Sequence, residues 1–464
     1  MIAALQALVG AEHLLTGERA APYCTDWRGR YSGAALAAVF PADVQQVSAI
    51  VRLCAENSIA IVPQGGNTSL CGASVPLADG VPQLVLNLSR LNHIREVDAT
   101  NYTMTVEAGC KLAALYEAAG DADRLFPLGL TAIAPHCEIG GNLSTNAGGI
   151  GVLRYGSARD LVLGLEVVLP DGRIWHGLRR LRKDNTGYDL KQLFLGAEGT
   201  LGIITAAVLK LFPRPRASAT ACVAVRDPAA AVALLAHLRA TCGDKISAFE
   251  LISRTCLDLV FKHIDDAREP FAARHDWLVI TKLADVLPAP LDGALREALL
   301  DFGEGVIEFE MTTDEADAER WWRLRKNIAE AQKCEGLSVK HDVSVPVSRV
   351  ADFIRDASAA LHATYPGLRI VAFGHLGDGN IHYNLSLFDA AQNPAFIAAQ
   401  EQAVNHIVYA VVDQLDGSIS AEHGLGQLKR EEITRHKSAL ELELMRSLKQ
   451  TLDPANLMNP GKVV

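Results

Sequence analysis

Hydrophobic and polar positions alternate along the chain with two different periods. Residues 43–56 place apolar side chains at helical spacing, and the next run, Ile59–Pro63, is continuously apolar and leads into a glycine loop. Three further apolar or β-branched runs, separated by turn residues, occupy 84–88, 103–107 and 162–169. This order of elements predicts a mixed α+β region over the first 215 residues, ended by Pro213 and Pro215.

Strand-like and helix-like stretches alternate again in the second half of the chain. They cover Ala219–Val225, 228–240, Trp277–Leu283, 292–302, Val306–Glu310 and 314–333. A last helical stretch near 438–451 precedes a Pro- and Gly-containing tail that ends regular structure. We therefore expect a second, sheet-based domain, with domain boundaries at 1–215, 216–435 and 436–464.

The composition is that of an ordinary globular protein. Of 464 residues, 49% are apolar and 21% are charged, and no low-complexity tract interrupts them. Because one core rarely supports so long a chain, two or three subdomains are expected. The formal net charge of −10 and the absence of a basic stripe exclude nucleic acid as a partner.

Cysteine usage and the N-terminal sequence bear on the compartment. The nine cysteines are scattered, with no CxxC pair, which argues for free thiols in a reducing environment. Met1–Leu5 lacks the positive region of a signal peptide and predicts a helix of the mature protein. The most apolar later stretch, 221–238, contains Arg226 and Asp227, so no transmembrane segment is expected. We expect a cytoplasmic protein whose membrane contacts, if any, are peripheral.

Two glycine-rich loops carry the first chemical signal. Residues 127–156 contain seven glycines, set around the run from Gly140 to Gly149, and a second loop at 65–72 follows a strand. Such loops can aim several backbone N–H groups at one anion, and a pyrophosphate is the expected guest. Each loop alone is equally consistent with a tight turn, but the pair favours a nucleotide cofactor. The spacing is not GxGxxG, which disfavours a nicotinamide site.

Histidines and a glutamate beside glycines carry the second signal. His375 and His382 lie seven residues apart across a glycine-rich turn, and Glu422 and His423 follow forty residues later. Two histidines and one carboxylate form a common ligand set for Zn²⁺, Mn²⁺ or Fe²⁺ that leaves positions open for a substrate. A lone histidine is more often a core residue, whereas this cluster favours a divalent metal. A metal-dependent hydrolase would also use the set, but it would leave both glycine loops unexplained.

From about Phe40 to Val464 the sequence resembles the flavoproteins of the vanillyl-alcohol oxidase and p-cresol methylhydroxylase type. The resemblance rests on 62–70 as the pyrophosphate loop, on 127–156 as the glycine-rich second segment and on 198–204 beside the isoalloxazine. It implies an FAD-binding domain of two α+β subdomains, a substrate- and metal-binding domain with an antiparallel sheet and helices, and a C-terminal helical segment packing back on the FAD domain.

The resemblance also implies the residues that bind FAD. They are Pro63, Gln64, Gly65, Gly66, Asn67, Thr68, Ser69, Gly72, Pro127, Gly129, Gly140, Gly141, Asn142, Thr145, Ala147, Gly148, Gly149, Gly156, Glu198, Gly202, Ile203, Ile204 and Asn459. Family members with covalent flavin have a histidine in the pyrophosphate loop, and residues 64–72 contain none. The expected cofactor is therefore non-covalent FAD.

Within this family, the histidine tracts look like those of the branch that contains D-2-hydroxyglutarate and D-lactate dehydrogenases. The likeness implies that His375, His382 and Glu422 bind the metal, expected to be zinc, and that His423 is the base and also contacts the substrate. Further implied substrate contacts are Arg325, Lys340 and Asn384. The implied reaction oxidises a D-2-hydroxy acid, with proton abstraction from the hydroxyl and hydride transfer from C2 to flavin N5.

The leading expectation is oxidation of D-2-hydroxyglutarate to 2-oxoglutarate. Ala329 stands where the hydroxyglutarate enzymes can place a threonine hydroxyl, which keeps D-lactate or another D-2-hydroxy monocarboxylate as the alternative. A third reading is a flavoprotein subunit of an electron-transfer complex. The expected electron acceptor is an electron-transfer flavoprotein or a quinone, and a homodimer is one assembly left open.

Overall fold

The computed structural model describes residues 1–130 and 133–464; Thr131 and Ala132, inside the expected second glycine segment, lie outside the described residues. The chain forms two compact units. The first comprises Met1–Gly148, Gly156–Arg214 and Glu422–Val464, and the second comprises Gly149–Tyr155 and Pro215–Ala421. The three-part division made from the sequence stays a prediction, and residues 422–435, which it gave to the second domain, cluster with the first unit.

The described strands, in chain order, are β1 (Leu14–Leu15), β2 (Ala38–Val39), β3 (Ala60–Gln64), β4 (Gln83–Asn87), β5 (Ile94–Asp98), β6 (Thr103–Glu107), β7 (Arg124–Leu125), β8 (Val162–Val168), β9 (Ile174–Gly177), β10 (Ile203–Lys210), β11 (Phe212–Pro213), β12 (Ala217–Val225), β13 (Ile246–Ser253), β14 (Trp277–Asp285), β15 (Val306–Thr312), β16 (Val339–Ser344), β17 (Leu368–His375) and β18 (Asn380–Leu387).

The described α-helices are α1 (Ile2–Val9), α2 (Val44–Glu56), α3 (Leu112–Asp121), α4 (Ile139–Ser144), α5 (Val152–Tyr155), α6 (Pro228–Cys242), α7 (Arg254–His263), α8 (Asp292–Phe302), α9 (Glu315–Lys326), α10 (Ile328–Glu335), α11 (Val350–Thr364), α12 (Asn393–Gln414), α13 (Ile433–His436) and α14 (Ala439–Leu452). None of these helices combines the length and the apolar character that crossing a bilayer requires.

The first unit is built on two larger sheets, and β7 and β11 form a two-stranded one beside them in the chain's topology. One has the order β1-β2-β4-β3, with β2, β4 and β3 parallel, and the other is antiparallel with the order β5-β6-β10-β8-β9. Asp43 starts α2 by accepting a hydrogen bond from Gln46 N at 2.8 Å, and the apolar stripe of that helix packs on β3 and β4. The C-terminal tail pairs with β3 through Ile61 and Met458.

The second unit is one seven-stranded sheet with the order β15-β12-β14-β13-β17-β18-β16, antiparallel throughout. Helices α6, α8, α11 and α12 cover one face with a large apolar core. Helices α7, α9 and α10 cover part of the other face around Trp321 and Ile328. Alternate residues of β12 therefore enter different cores, as period-two patterning requires.

The expected α+β class is confirmed, and most sequence-predicted elements occur within a few residues of their expected ends. The helix expected at 314–333 differs, because it divides into α9 and α10 at Asn327. Asn327 closes α9 and also precedes α10, so the two helices meet at this residue. The division follows Arg325 by two positions.

Candidate active site

A cleft lies in the first unit. Sequence-predicted residues that line it are Pro63, Gln64, Gly65, Gly66, Asn67, Thr68, Ser69, Gly140, Gly141, Asn142, Thr145, Ala147, Gly148, Glu198, Gly202, Ile203 and Ile204. The pyrophosphate loop, the glycine-rich second segment and the third segment thus line one cavity.

Other expected cofactor residues lie away from the lining of this cleft. They are Gly72, Pro127, Gly129, Gly149, Gly156 and Asn459. Asn459 is buried and supports the cleft indirectly, since its Nδ2 donates to Ala73 O at 3.0 Å and to Glu198 O at 2.7 Å. The sequence reasoning missed Leu70, Ala73, Ser74, Leu88, Leu130, Ile133, Glu138, Ser144 and Gly199, which do line it. Most of these are small or apolar side chains without a chemical signature.

The cleft has the properties that a flavin nucleotide needs. A Cβ on Gly66 would lie 2.1 Å from His136 O, so only glycine allows this close approach of the two loops. A Cβ on Gly141, by contrast, would enter open space, which leaves room for a ligand against the backbone. Asn142 Oδ1 is buried without a hydrogen-bond partner among the described residues. An unpaired buried acceptor on a cavity wall is what a hydrogen-bonding ligand would satisfy.

Glu422 and His423, expected as metal ligand and base, also line this cleft. The segment after them is held by Glu198, whose two carboxylate oxygens accept from Leu425 N at 2.7 Å and Gly426 N at 2.8 Å. Burial raises the pKa of Glu198, and the two backbone donors lower it in part. The structure thus brings the candidate base to the wall of the candidate flavin cleft.

Gly424 makes this attachment sterically feasible. Its φ is +77°, and a Cβ there would lie 2.7 Å from Glu198 Oε1. The glycine following His423 is therefore required by both backbone conformation and space.

In the second unit, the expected metal and substrate residues lie on one face of the sheet. Residues opposite each other in an antiparallel sheet share a face, and so do positions two apart along a strand. Three successive cross-strand rows result. They are Glu250, His375, Asn380 and Ser344; Ile252, Phe373, His382 and Asp342; and Val371, Asn384 and Lys340. The rows belong to the four neighbouring strands β13, β17, β18 and β16.

Glu250 joins His375 to Arg325. Its Oε1 lies 2.7 Å from His375 Nδ1, and its Oε2 accepts from Arg325 Nε at 2.8 Å. Burial alone would raise the pKa of Glu250, but the adjacent His375 and Arg325 outweigh it and the pKa is lowered. Glu250 was missed from the sequence, where its one signal is a lone carboxylate within the apolar strand Ile246–Ser253.

The bond from Nδ1 to Glu250 determines which atom of His375 can bind a metal. With Nδ1 as donor to the carboxylate, Nε2 carries the lone pair. The Arg325 guanidinium also lies 4.7 Å from the centre of the Phe373 ring, which adds a second constraint on that side chain. Because only Nε is used by Glu250, the terminal nitrogens keep the fork geometry that carboxylates recognise.

Asp342 is a second carboxylate that the sequence reasoning missed. It faces His382 across β16 and β18, with Oδ1 3.8 Å from His382 Nδ1, and Asn380 Nδ2 donates to the same oxygen at 2.9 Å. The His375 and His382 rings are 5.8 Å apart between centroids. Ala421 N donates to Asp342 O at 3.2 Å, and Glu422 is the next residue of the chain. Imidazole and carboxylate groups such as those of His382 and Asp342 are ligand types that divalent cations use.

Lys340 and Asn384 face each other one row further along the sheet. Asn384 is buried, and its Nδ2 donates to Gln332 Oε1 on α10 at 3.0 Å. The neighbouring His341 points to the opposite face, where its Nε2 bonds Asn405 Oδ1 at 2.8 Å. The strand pattern therefore separates Lys340 and Asp342 from His341.

Comparisons with known proteins agree with this architecture. Residues 35–177 match a family model described as FAD binding domain, and residues 214–463 match one described as FAD linked oxidases, C-terminal domain. The D-2-hydroxyglutarate dehydrogenase of Xanthomonas citri pv. viticola is 38% identical over 95% of this chain and 92% of that protein. The mitochondrial D-2-hydroxyglutarate dehydrogenase of Bos taurus is 37% identical over 100% of this chain and 83% of that protein.

Solved structures show the same fold at low identity. p-Cresol methylhydroxylase with substrate bound superposes with a TM-score of 0.76 at 19% identity, covering 100% of this chain and 96% of that one. An alkyldihydroxyacetonephosphate synthase gives a TM-score of 0.74 at 18% identity, covering 99% of this chain and 84% of that one. The expected p-cresol methylhydroxylase type of fold is confirmed. The chain belongs to the family of FAD-linked oxidases.

Proposed function

We propose that this protein is an FAD-dependent dehydrogenase that oxidises D-2-hydroxyglutarate to 2-oxoglutarate. The observation that carries the proposal is the Arg325–Glu250–His375 arrangement around the buried Glu250 on the polar face of the second unit's sheet. It couples a candidate metal ligand to a cation of the kind that binds carboxylates. Relatives that are named D-2-hydroxyglutarate dehydrogenases, and that cover nearly the whole chain, support the same substrate.

The chain's own side chains account for recognition of a diacid. Arg325 meets the carboxylate remote from C2, because a desolvated charge in the pocket needs a cation. Lys340 and Asn384, paired across the sheet, contact the same substrate. Glu250 holds the Arg325 fork in one orientation, so that the substrate is bound in one pose.

Proton removal is assigned to His423. It accepts the proton of the C2 hydroxyl and lies on the wall of the cleft assigned to the flavin. FAD bound there would supply the hydride acceptor for C2, at its N5. We propose His375, His382 and Glu422 as ligands of a divalent cation, zinc with manganese or iron as alternatives, which would polarise the substrate hydroxyl. Asp342 orients His382 from the adjacent strand.

The flavin is proposed to be non-covalent, since residues 64–72 include no histidine. We propose an electron-transfer flavoprotein or a quinone as acceptor. A relative from Saccharomyces cerevisiae, 34% identical over 96% of this chain and 90% of that protein, is named a D-2-hydroxyglutarate–pyruvate transhydrogenase. Turnover should therefore be assayed separately with an electron-transfer flavoprotein, a quinone and a 2-keto acid as electron acceptor.

A cytoplasmic location, with any membrane contact peripheral, is supported by the nine cysteines, all of which are free thiols. A homodimer is the proposed assembly, and light scattering of the purified holoprotein would measure it. The role of a subunit in a larger electron-transfer complex would show as a stable partner in native purification.

D-Lactate is the second candidate substrate, because Ala329 supplies no hydroxyl to the substrate's far end. Anaerobic mixing of the oxidised holoprotein with a panel of D- and L-2-hydroxy acids decides the question. Loss of flavin absorbance should be fastest with D-2-hydroxyglutarate and absent with the L-enantiomer. Equal bleaching by both enantiomers would refute the proposed binding pose. Faster bleaching by D-lactate than by D-2-hydroxyglutarate would make D-lactate the assigned substrate.

A further inference from the structure

Glu138 is a buried acid on the wall of the cleft that the proposed reaction does not use. It is 5% exposed and lies immediately before α4. Its backbone is held on both sides, by a bridge to Lys111 and by the bond from Asn142 N to its carbonyl at 3.1 Å. Glu138 thus lines the cleft from a well-anchored backbone.

The carboxyl of Glu138 lies against the pyrophosphate loop. A Cβ on Gly65 would be 3.3 Å from Glu138 Oε2. That oxygen is buried and has no hydrogen-bond partner among residues 1–130 and 133–464. Burying a polar atom without a partner is costly, so such atoms on a cavity wall point to a ligand that completes them.

Its surroundings favour the neutral acid. Burial raises the pKa of Glu138 to about 8, against a smaller lowering by the charge of Lys111. The thiols of Cys110 and Cys137 also face it, and burial raises the pKa of both, that of Cys110 to about 12. Lys111 is the charged side chain that opposes the rise in the pKa of Glu138.

We propose that Glu138 is a cofactor-binding residue that donates its carboxyl hydrogen to a pyrophosphate oxygen of FAD. An ionised Glu138 would instead place a negative charge beside the pyrophosphate, and a desolvated like-charge contact opposes binding. Binding and protonation are therefore linked, and FAD affinity should fall as Glu138 ionises. The inference rests on FAD as the cofactor of the proposed function and is independent of the substrate.

The test is FAD binding to apoprotein, measured by flavin fluorescence from pH 6.5 to 9.5. Wild-type Kd should rise by about tenfold per pH unit above pH ~8, because one proton is linked to binding. Glu138→Gln retains a hydrogen-bond donor that does not ionise. Its Kd for FAD should therefore not change with pH, and at pH 9.5 it should be lower than that of wild type. Glu138→Ala should be flat but roughly tenfold weaker at pH 7. Glu117→Gln, an exposed acid on α3, is the matched control and should follow wild type.

A pH-independent wild-type Kd, or a Glu138→Gln slope equal to that of wild type, overturns the proposal. The pH dependence of the wild-type Kd tests the proposal even if a variant fails to fold. ADP-ribose contains the pyrophosphate without a flavin, so its Kd for wild-type protein should rise with pH as steeply as that of FAD. If the Kd of FAD depends on pH and that of ADP-ribose does not, the assignment to the pyrophosphate is overturned. If wild type binds no FAD at any pH, the proposed function fails instead.

Discussion

The Nδ1 atom of His375 lies 2.7 Å from Oε1 of Glu250, whose other oxygen accepts from Arg325. One buried carboxylate therefore orients a candidate metal ligand and a candidate substrate cation together. A carboxylate behind a metal-binding histidine fixes its tautomer and raises its basicity. Disturbing Glu250 should affect metal binding and substrate binding at once.

Glu250→Gln keeps the shape but removes the negative charge. We expect metal affinity and kcat/KM for D-2-hydroxyglutarate each to fall by about 10- to 100-fold, with FAD content unchanged. Metal titration of the apoprotein and steady-state kinetics measure the two effects. Glu310→Gln, at an exposed position of β15, is the control. A normal metal affinity in Glu250→Gln would mean that His375 is not held for metal binding.

Arg325→Ala tests which carboxylate the guanidinium meets. If it serves the far carboxylate, transition-state binding should weaken by about 2 to 5 kcal/mol for D-2-hydroxyglutarate and far less for D-lactate, which has a methyl there. The measurement is kcat/KM for both substrates. Arg323→Ala, an exposed arginine on the same helix, controls for lost charge. Proportional losses on both substrates would place Arg325 at the shared carboxylate instead.

Removal of the metal should abolish turnover and leave FAD bound. His375 and His382 lie on strands of the second unit, whereas the cleft assigned to FAD lies in the first, so chelator treatment or His375→Ala should leave the visible flavin spectrum intact. Metal analysis and flavin absorbance of the same sample measure both. His93→Ala, an exposed histidine, is the control. Simultaneous loss of flavin would show that the histidine tract is structural.

Gly424→Ala should displace His423 from the cleft. The added Cβ would lie 2.7 Å from Glu198 Oε1 at a φ of +77°, so both sterics and backbone strain oppose it. We expect kcat to fall by at least about tenfold with little change in FAD affinity. Gly243→Ala is the matched control, because Gly243 has φ +59° and nothing within 4 Å of an added Cβ. An unchanged kcat would show that the backbone conformation at Gly424 is not needed for catalysis.

The stability of the apoprotein should depend on the protonation of Glu138. Since burial raises its folded pKa from 4.5 to about 8, its contribution is full below pH 4.5 and is lost as pH rises to about 8. Glu138→Gln apoprotein should therefore become more stable than wild type over that range, by roughly 1 to 4 kcal/mol at pH 8. Urea unfolding at several pH values measures the difference.

The comparison with wild type at each pH matters because the buried Lys462 also makes a pH-dependent contribution to stability. Its burial lowers its pKa to about 8, so its effect on stability runs in the opposite direction, rising with pH above that value. This background is common to both proteins and cancels in the difference. A constant difference from pH 5 to 8 would contradict the assigned pKa of Glu138.

The sequence by itself determined the elements, the loops and the family. Periodicity predicted α2, β3, β12 and α6 nearly to their ends, because the apolar stripe of a helix and the alternation of a strand are local properties. The two glycine loops could also be predicted from the sequence, because they too have a local signature. Glycine at Gly66 is required by close backbone approach, and a dense run of such residues stands out in any chain.

Tertiary structure alone decided which polar residues meet. His375 and Glu250 are 125 positions apart, and their contact follows from the order β13-β17-β18-β16, which no local pattern encodes. Asp342 faces His382, while the adjacent His341 faces the other core, because a shift of one residue in register reverses the face of every side chain. Glu138 likewise had no sequence signal. Its burial and its unpaired oxygen result from the packing of the cleft wall around the pyrophosphate loop.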